Sequence, residues 1–205
     1  MTAQGQRNLV ILLHGVGSSG ANLAPLSNLW KDMLPDTDFV SPDGPFAFGR
    51  GPGHQWFSIE GVTEENRAGR VLAARGEFDR VIGEIIATHR LSENLERVAL
   101  VGFSQGSIMA LDVLASGRLP VAAVAAFSGR LASPQPLAPS VRTKLALIHG
   151  NADPIMPVGE SEKASAVLMD AGVVSELHVM PGLGHSISRD GAMIAGHFLQ
   201  KAFGA

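Results

Sequence analysis

The stretch V-G-F-S-Q-G-S, residues 101–107, sets a serine between two glycines, with the apolar run Val98–Val101 before it and an apolar-periodic segment after it. This is the pattern G-x-S-x-G at a strand-to-helix turn, where the serine backbone is strained and the positions two residues away have no room for side chains. Such a turn lays a helix N-terminus, with its free N–H groups, beside the charge that develops on a reacting carbonyl. Glycine–serine–glycine spacing also arises in ordinary turns, so the reading depends on what the rest of the chain supplies.

Short apolar runs recur at Leu9–Leu13, Phe39–Val40, Val98–Val101, Val121–Phe127, Leu145–Ile148 and Val174–Val179. They are continuous rather than alternating, as in strands covered on both faces. Between them lie helical patterns. Phe78, Val81, Ile82, Ile85 and Ile86 form one stripe within residues 64–89, and further helices are predicted over 105–116, over 160–171 ending at Gly172, and from Asp190 onward. Alternating strands and helices imply an α/β fold: a mostly parallel, doubly wound sheet with helices on both faces. A chain of 205 residues that is 45% hydrophobic and 17% charged fits one domain spanning residues 1–205. Residues 41–61, rich in proline and glycine, and the proline-rich 128–139 are expected to be loops.

A serine hydroxyl needs a base to take its proton and an acid to orient that base. Of seven histidines, His185 in P-G-L-G-H-S follows the last strand on a glycine-rich loop, which places it at the C-terminal sheet edge with Ser104. Asp153 in H-G-N-A-D-P follows the preceding strand at the same edge. His89 and His197 fall in helical segments, His178 in a strand, and Asp190 at a helix start where a capping role suffices. The order Ser104, Asp153, His185 is that of α/β-hydrolases. The first strand ends L-L-H-G-V-G-S-S-G, a turn suited to supplying the second oxyanion donor, so the backbone N–H groups of Val16 and Gln105 are the expected oxyanion hole and His14 is expected to orient the loop.

Composition narrows the partners. A net charge of −3 with no basic stripe argues against nucleic acid, and the absence of cysteine removes disulfides, thiolate metal sites and a cysteine nucleophile. No apolar stretch approaches the ~20 residues of a membrane span, so a cytoplasmic protein without stable membrane insertion is expected. There is no H-E-x-x-H, and no metal or cofactor is expected. G-V-G-S-S-G at 15–20 does match a dinucleotide fingerprint, but no acidic residue ends the next strand; Asp43 is offset into the loop.

With these blocks together, the chain resembles the phospholipase/carboxylesterase family of α/β-hydrolases, which includes acyl-protein thioesterases. The resemblance rests on L-H-G-V-G at 13–17, S-P-D-G-P at 41–45, W-F at 56–57, G-F-S-Q-G at 102–106, H-G-N-A-D-P-I-M-P at 149–157 and G-H-S-I-S at 184–188. It implies nucleophile Ser104, acid Asp153, base His185 and oxyanion donors Val16 and Gln105. Ser18 and Ser107 depart from the family pattern near the expected site, where substrate choice is decided.

The expected activity is hydrolysis of small acyl esters or thioesters through an acyl-enzyme. Phe46, Phe48, Trp56 and Phe57 are expected in an acyl pocket, with Trp56 and Phe57 equally able to anchor the loop, and Ile155, Met156 and Leu183 on the opposite wall. Lactone hydrolysis or acyl transfer on the same triad, and ligand binding without turnover, are the alternatives. A homodimer stays open.

Overall fold

The computed structural model describes residues 7–204. Its centre is a parallel sheet of six strands in the order β2-β1-β5-β6-β7-β8. The strands are β1 (Asn8–Leu13), β2 (Thr37–Val40), β5 (Val98–Phe103), β6 (Ala123–Phe127), β7 (Lys144–Gly150) and β8 (Ser175–Met180). The four inner strands are buried almost throughout, as continuous apolar runs require. The edge strands differ: β2 is mostly half-buried, and β8 exposes Glu176 and Val179, so covering on both faces does not extend to the edges.

Helices α2 (Glu64–Thr88), α3 (Gln105–Ser116) and α4 (Gly159–Asp170) cover one face, and α1 (Pro25–Trp30) and α5 (Arg189–Phe203) cover the other. The ends of α2 and α5 follow from local chemistry. Thr63 and Asn66 form a reciprocal capping box at the start of α2. Ser188, whose Oγ accepts the Gly191 N–H at 3.0 Å, caps α5; Asp190 lies in the first turn and is not the cap expected from sequence.

The segment 41–61 is not the plain loop expected. It folds back on itself through the short antiparallel strands β3 (Phe46–Ala47) and β4 (His54–Gln55), and a bridge joins His54 to Ser18. Helix α1, too short for a periodic signal, was not expected either. Among the described residues no helix is long and apolar enough to cross a membrane.

Strand β1 runs between β2 on one side and β5 on the other. The chain reverses its direction of winding there, and in open parallel sheets the crevice at the C-terminal ends of such strands binds ligands. The Ser104 turn and the glycine turn after β1 both open at this point.

Candidate active site

Ser104 sits between β5 and α3 with φ 53° and ψ −114°, a conformation that costs a non-glycine residue about 1–3 kcal/mol. The surrounding backbone enforces it. The Ser104 N–H is drawn to the Phe127 carbonyl of β6 at 3.0 Å, while a Cβ on Gly102 would collide with the Gly106 carbonyl group and one on Gly106 with the Leu13 carbonyl at the end of β1. The two flanking glycines are therefore steric requirements, and their absence of side chains lets the β1 turn approach Ser104. A Cβ on Gly15 would lie 3.3 Å from the Ser104 Cβ.

Asp153 and His185 reach Ser104 from the ends of β7 and β8. Their loops are tied together by the Ala152 N–H to the Leu183 carbonyl at 3.0 Å and the Gly182 N–H to the Asn151 side chain at 2.7 Å. His185 Nδ1 lies 2.7 Å from Asp153 Oδ2, and His185 Nε2 lies 3.0 Å from Ser104 Oγ. A carboxylate only accepts, so the ring proton resides on Nδ1 and Nε2 is free to accept the serine hydroxyl. Burial opposes charge on Asp153, but the N–H groups of Met156 and Ile155 on Oδ1 and the His185 ring on Oδ2 outweigh it, holding the carboxyl below the usual carboxylate range.

As the first residue of α3, Gln105 has an N–H without an intrahelical acceptor. In the turn after β1, Gly17 and Ser18 donate to the His54 and Gly15 carbonyls, whereas Val16 has no acceptor among the described residues. His14 is fully buried, with both ring nitrogens bonded to backbone: Nδ1 donates to the Gly15 carbonyl at 2.7 Å and Nε2 accepts the Gly44 N–H at 2.8 Å.

The structure divides the residues expected to touch substrate. Trp56 is fully buried against Phe78 and His14, so it stands behind the wall as an anchor. Phe57 is nearly buried and lines a cavity of about 280 Å³ with the exposed Phe46, the half-buried Arg70 and the buried Ala74. The Phe48 ring lies against Gly17 in the β1 turn, at 3.1 Å from where a Cβ would be. Beside the acid, Ile155 is 68% exposed whereas Met156 is buried, and Leu183 is half-buried next to His185.

Two features escaped the sequence. The Gln105 side chain, and not only its N–H, is built into the site. His149, four residues before Asp153, places Nε2 3.3 Å from Asp153 Oδ2 and bonds the Met156 carbonyl and Ser161. Ser107, where the family often has glycine, is buried and donates to the Phe127 carbonyl at 2.7 Å.

The profile of the family described as Phospholipase/Carboxylesterase matches residues 2–203. The chain is 35% identical to Esterase YpfH of Escherichia coli (strain K12) over 186 residues, 88% of this chain and 77% of that protein. It is 26% identical to Acyl-protein thioesterase 1 of Saccharomyces cerevisiae over 218 residues, 97% and 94% of the two chains. The crystal structure of esterase PE8 superposes with a TM-score of 0.85 at 37% identity, covering 96% of this chain and 93% of that one. Sheet topology, strained serine and family match agree: the chain belongs to the phospholipase/carboxylesterase family of α/β-hydrolases.

Proposed function

We propose that the protein hydrolyses small carboxylic esters or thioesters through Ser104, His185 and Asp153, with the backbone N–H groups of Val16 and Gln105 as oxyanion hole. The observation that carries this reading is the unbroken relay from Ser104 Oγ through His185 to Asp153, at 3.0 and 2.7 Å, on a strained turn at a helix N-terminus. Similarity to proteins named as an esterase and an acyl-protein thioesterase supports it.

In this mechanism His185 Nε2 takes the Ser104 proton as Oγ attacks the acyl carbon. The carbonyl electrons move onto oxygen, where the two N–H groups stabilise them. Collapse of the tetrahedral intermediate expels the alcohol or thiol, which receives the proton from His185. Water then enters, loses a proton to the same nitrogen and attacks the acyl carbon; collapse of the second tetrahedral intermediate breaks its bond to Ser104 Oγ, which takes the proton back from His185 as the acid leaves. Asp153, kept ionised by its donors, holds the ring in the tautomer that each transfer needs. Phe46 and Phe48 form the acyl wall, with Phe57 behind them, and Ile155 and Leu183 flank the opposite side.

The test is a series of p-nitrophenyl esters of rising acyl length, hydrolysed by wild type and Ser104→Ala. Because triad members act as a unit, the variant should lose on the order of 10⁴-fold or more in kcat. Ser104→Ala turning over at near the wild-type rate would end the reading.

A further inference from the structure

The carboxamide of Gln105 has no part in the relay, yet it is buried and both its oxygen and its nitrogen are hydrogen-bonded. Oε1 accepts the Trp56 N–H at 2.8 Å, and Nε2 donates to the Phe57 carbonyl at 2.8 Å. Both partners belong to the segment 41–57 that carries the aromatic wall. That segment also grips the turn holding the other oxyanion donor. The Gly17 N–H donates to the His54 carbonyl at 2.8 Å, the His54 N–H to the Ser18 carbonyl at 2.7 Å, and the Gly20 N–H to Asp43 Oδ1 at 2.8 Å. The Gly44 N–H donates to His14 Nε2 at 2.8 Å, and the Trp56 indole N–H to the His14 carbonyl at 2.9 Å.

We propose that Gln105 is a positioning residue whose side chain joins the acyl wall of residues 41–57 to both oxyanion donors as one rigid body. The inference rests on the function proposed above. It makes the segment a fixed wall rather than a lid, and it predicts that acyl groups packing well on the wall act mainly on kcat, because contacts made there are transmitted to groups used in the transition state. A misplacement of about 1 Å in such groups costs on the order of 10²-fold.

Gln105→Glu and Gln105→Leu test it. An ionised glutamate can still accept from Trp56 but repels the Phe57 carbonyl, whereas a protonated one can accept from the first and donate to the second. The charged and titratable groups around its partners are His14, whose ring centroid lies 5.4 Å from that of Trp56, His185, bonded to Ser104, and Arg70, which lines a cavity with Phe57. All are present in wild type, so the ratio of wild-type to variant kcat at each pH removes their contribution. For Gln105→Glu that ratio should grow from within about threefold at pH 6 to about 10- to 100-fold at pH 9, the size expected for a disturbed oxyanion donor, with KM within about twofold. Gln105→Leu should show the larger loss at every pH.

A Gln105→Glu ratio that does not change with pH, or a loss carried by KM, would overturn the inference. If Gln105→Leu does not fold, the glutamate pH series decides alone. Ser104→Ala run alongside separates the two readings: a fully active Ser104→Ala defeats the proposed function, whereas an inactive Ser104→Ala with a pH-independent Gln105→Glu defeats only the role of Gln105.

Discussion

His14 carries two hydrogen bonds that require a neutral ring, one given by Nδ1 to the Gly15 carbonyl and one taken by Nε2 from the Gly44 N–H. A second ring proton would set two donors against each other. Burial holds its pKa below the ordinary 6.5, opposed in part by the Gly15 carbonyl and the Asp43 charge and assisted by His54. The unfolded chain takes up this proton near pH 6.5 and the native protein only at lower pH. The stability contributed by neutral His14 is therefore complete above pH 6.5 and is lost as pH falls through the native value. Urea midpoints measured at pH 7.5 and 5 should fall further in wild type than in His14→Gln, which keeps an acceptor for Gly44 but does not titrate. Equal falls would refute the argument. That Ser104, Asp153 and His185 meet was legible because each lies in the turn or loop that follows a strand at the same edge of the sheet. The Gln105 carboxamide and the His14 acceptor were not, because their partners lie 49 and 30 residues away in the chain. No local spacing encodes such pairs.

Helices α2 and α3 show the same limit at the level of elements. Their apolar stripes were readable, but Asp112 in the middle of α3 gave no sign of its surroundings: every residue from Gln105 to Ala115 is buried. The fully buried Asp112 carboxylate is bound in bidentate fashion by Arg75 from α2 at 2.9 Å and again by Arg118 Nη1 at 2.8 Å, while Arg118 Nε also binds Asp79 of α2. Removing this carboxylate leaves the Arg75 guanidinium without its acceptor and takes one from Arg118, which keeps Asp79, so Asp112→Ala should lower unfolding free energy by about 3–5 kcal/mol. Asp112 lies two turns along α3 from Ser104, about 12 Å at helical rise. Turnover of the folded variant at 25 °C should stay within about twofold of wild type, and denaturation and initial rates measured on one preparation would expose any coupling. The shortest elements, the six-residue α1 and the two-residue strands β3 and β4, span too few periods to leave a repeating apolar pattern. They were set by tertiary contacts instead: Pro25 opens α1, and the hairpin closes on the β1 turn through His54.

Across the whole molecule the sheet separates two cores, and each holds one of the two tryptophans. Trp30 is fully buried between α1 and α5, its indole N–H donating to the Ala192 carbonyl at 2.8 Å and its ring filling the space above Gly196. Neither helix contributes Ser104, Asp153, His185, Val16 or Gln105. Trp56 lies in the other core, with its ring on Phe78, its indole N–H on the His14 carbonyl and its backbone N–H on Gln105. Tryptophan to phenylalanine at either place removes buried volume and one hydrogen bond, a loss of about 1–3 kcal/mol. The two substitutions are thus close to equal in stability and unequal in position. Trp30→Phe should unfold at lower urea with kcat within about twofold of wild type. Trp56→Phe should unfold at similarly lower urea yet lose about tenfold in kcat, because the freed His14 carbonyl belongs to the turn that presents Val16. Ester hydrolysis by both variants, compared at matched folded fraction, distinguishes a site held by one face of the sheet from one held by general rigidity: equal kcat losses would mean that the α1–α5 core supports the oxyanion turn as much as the segment 41–57 does.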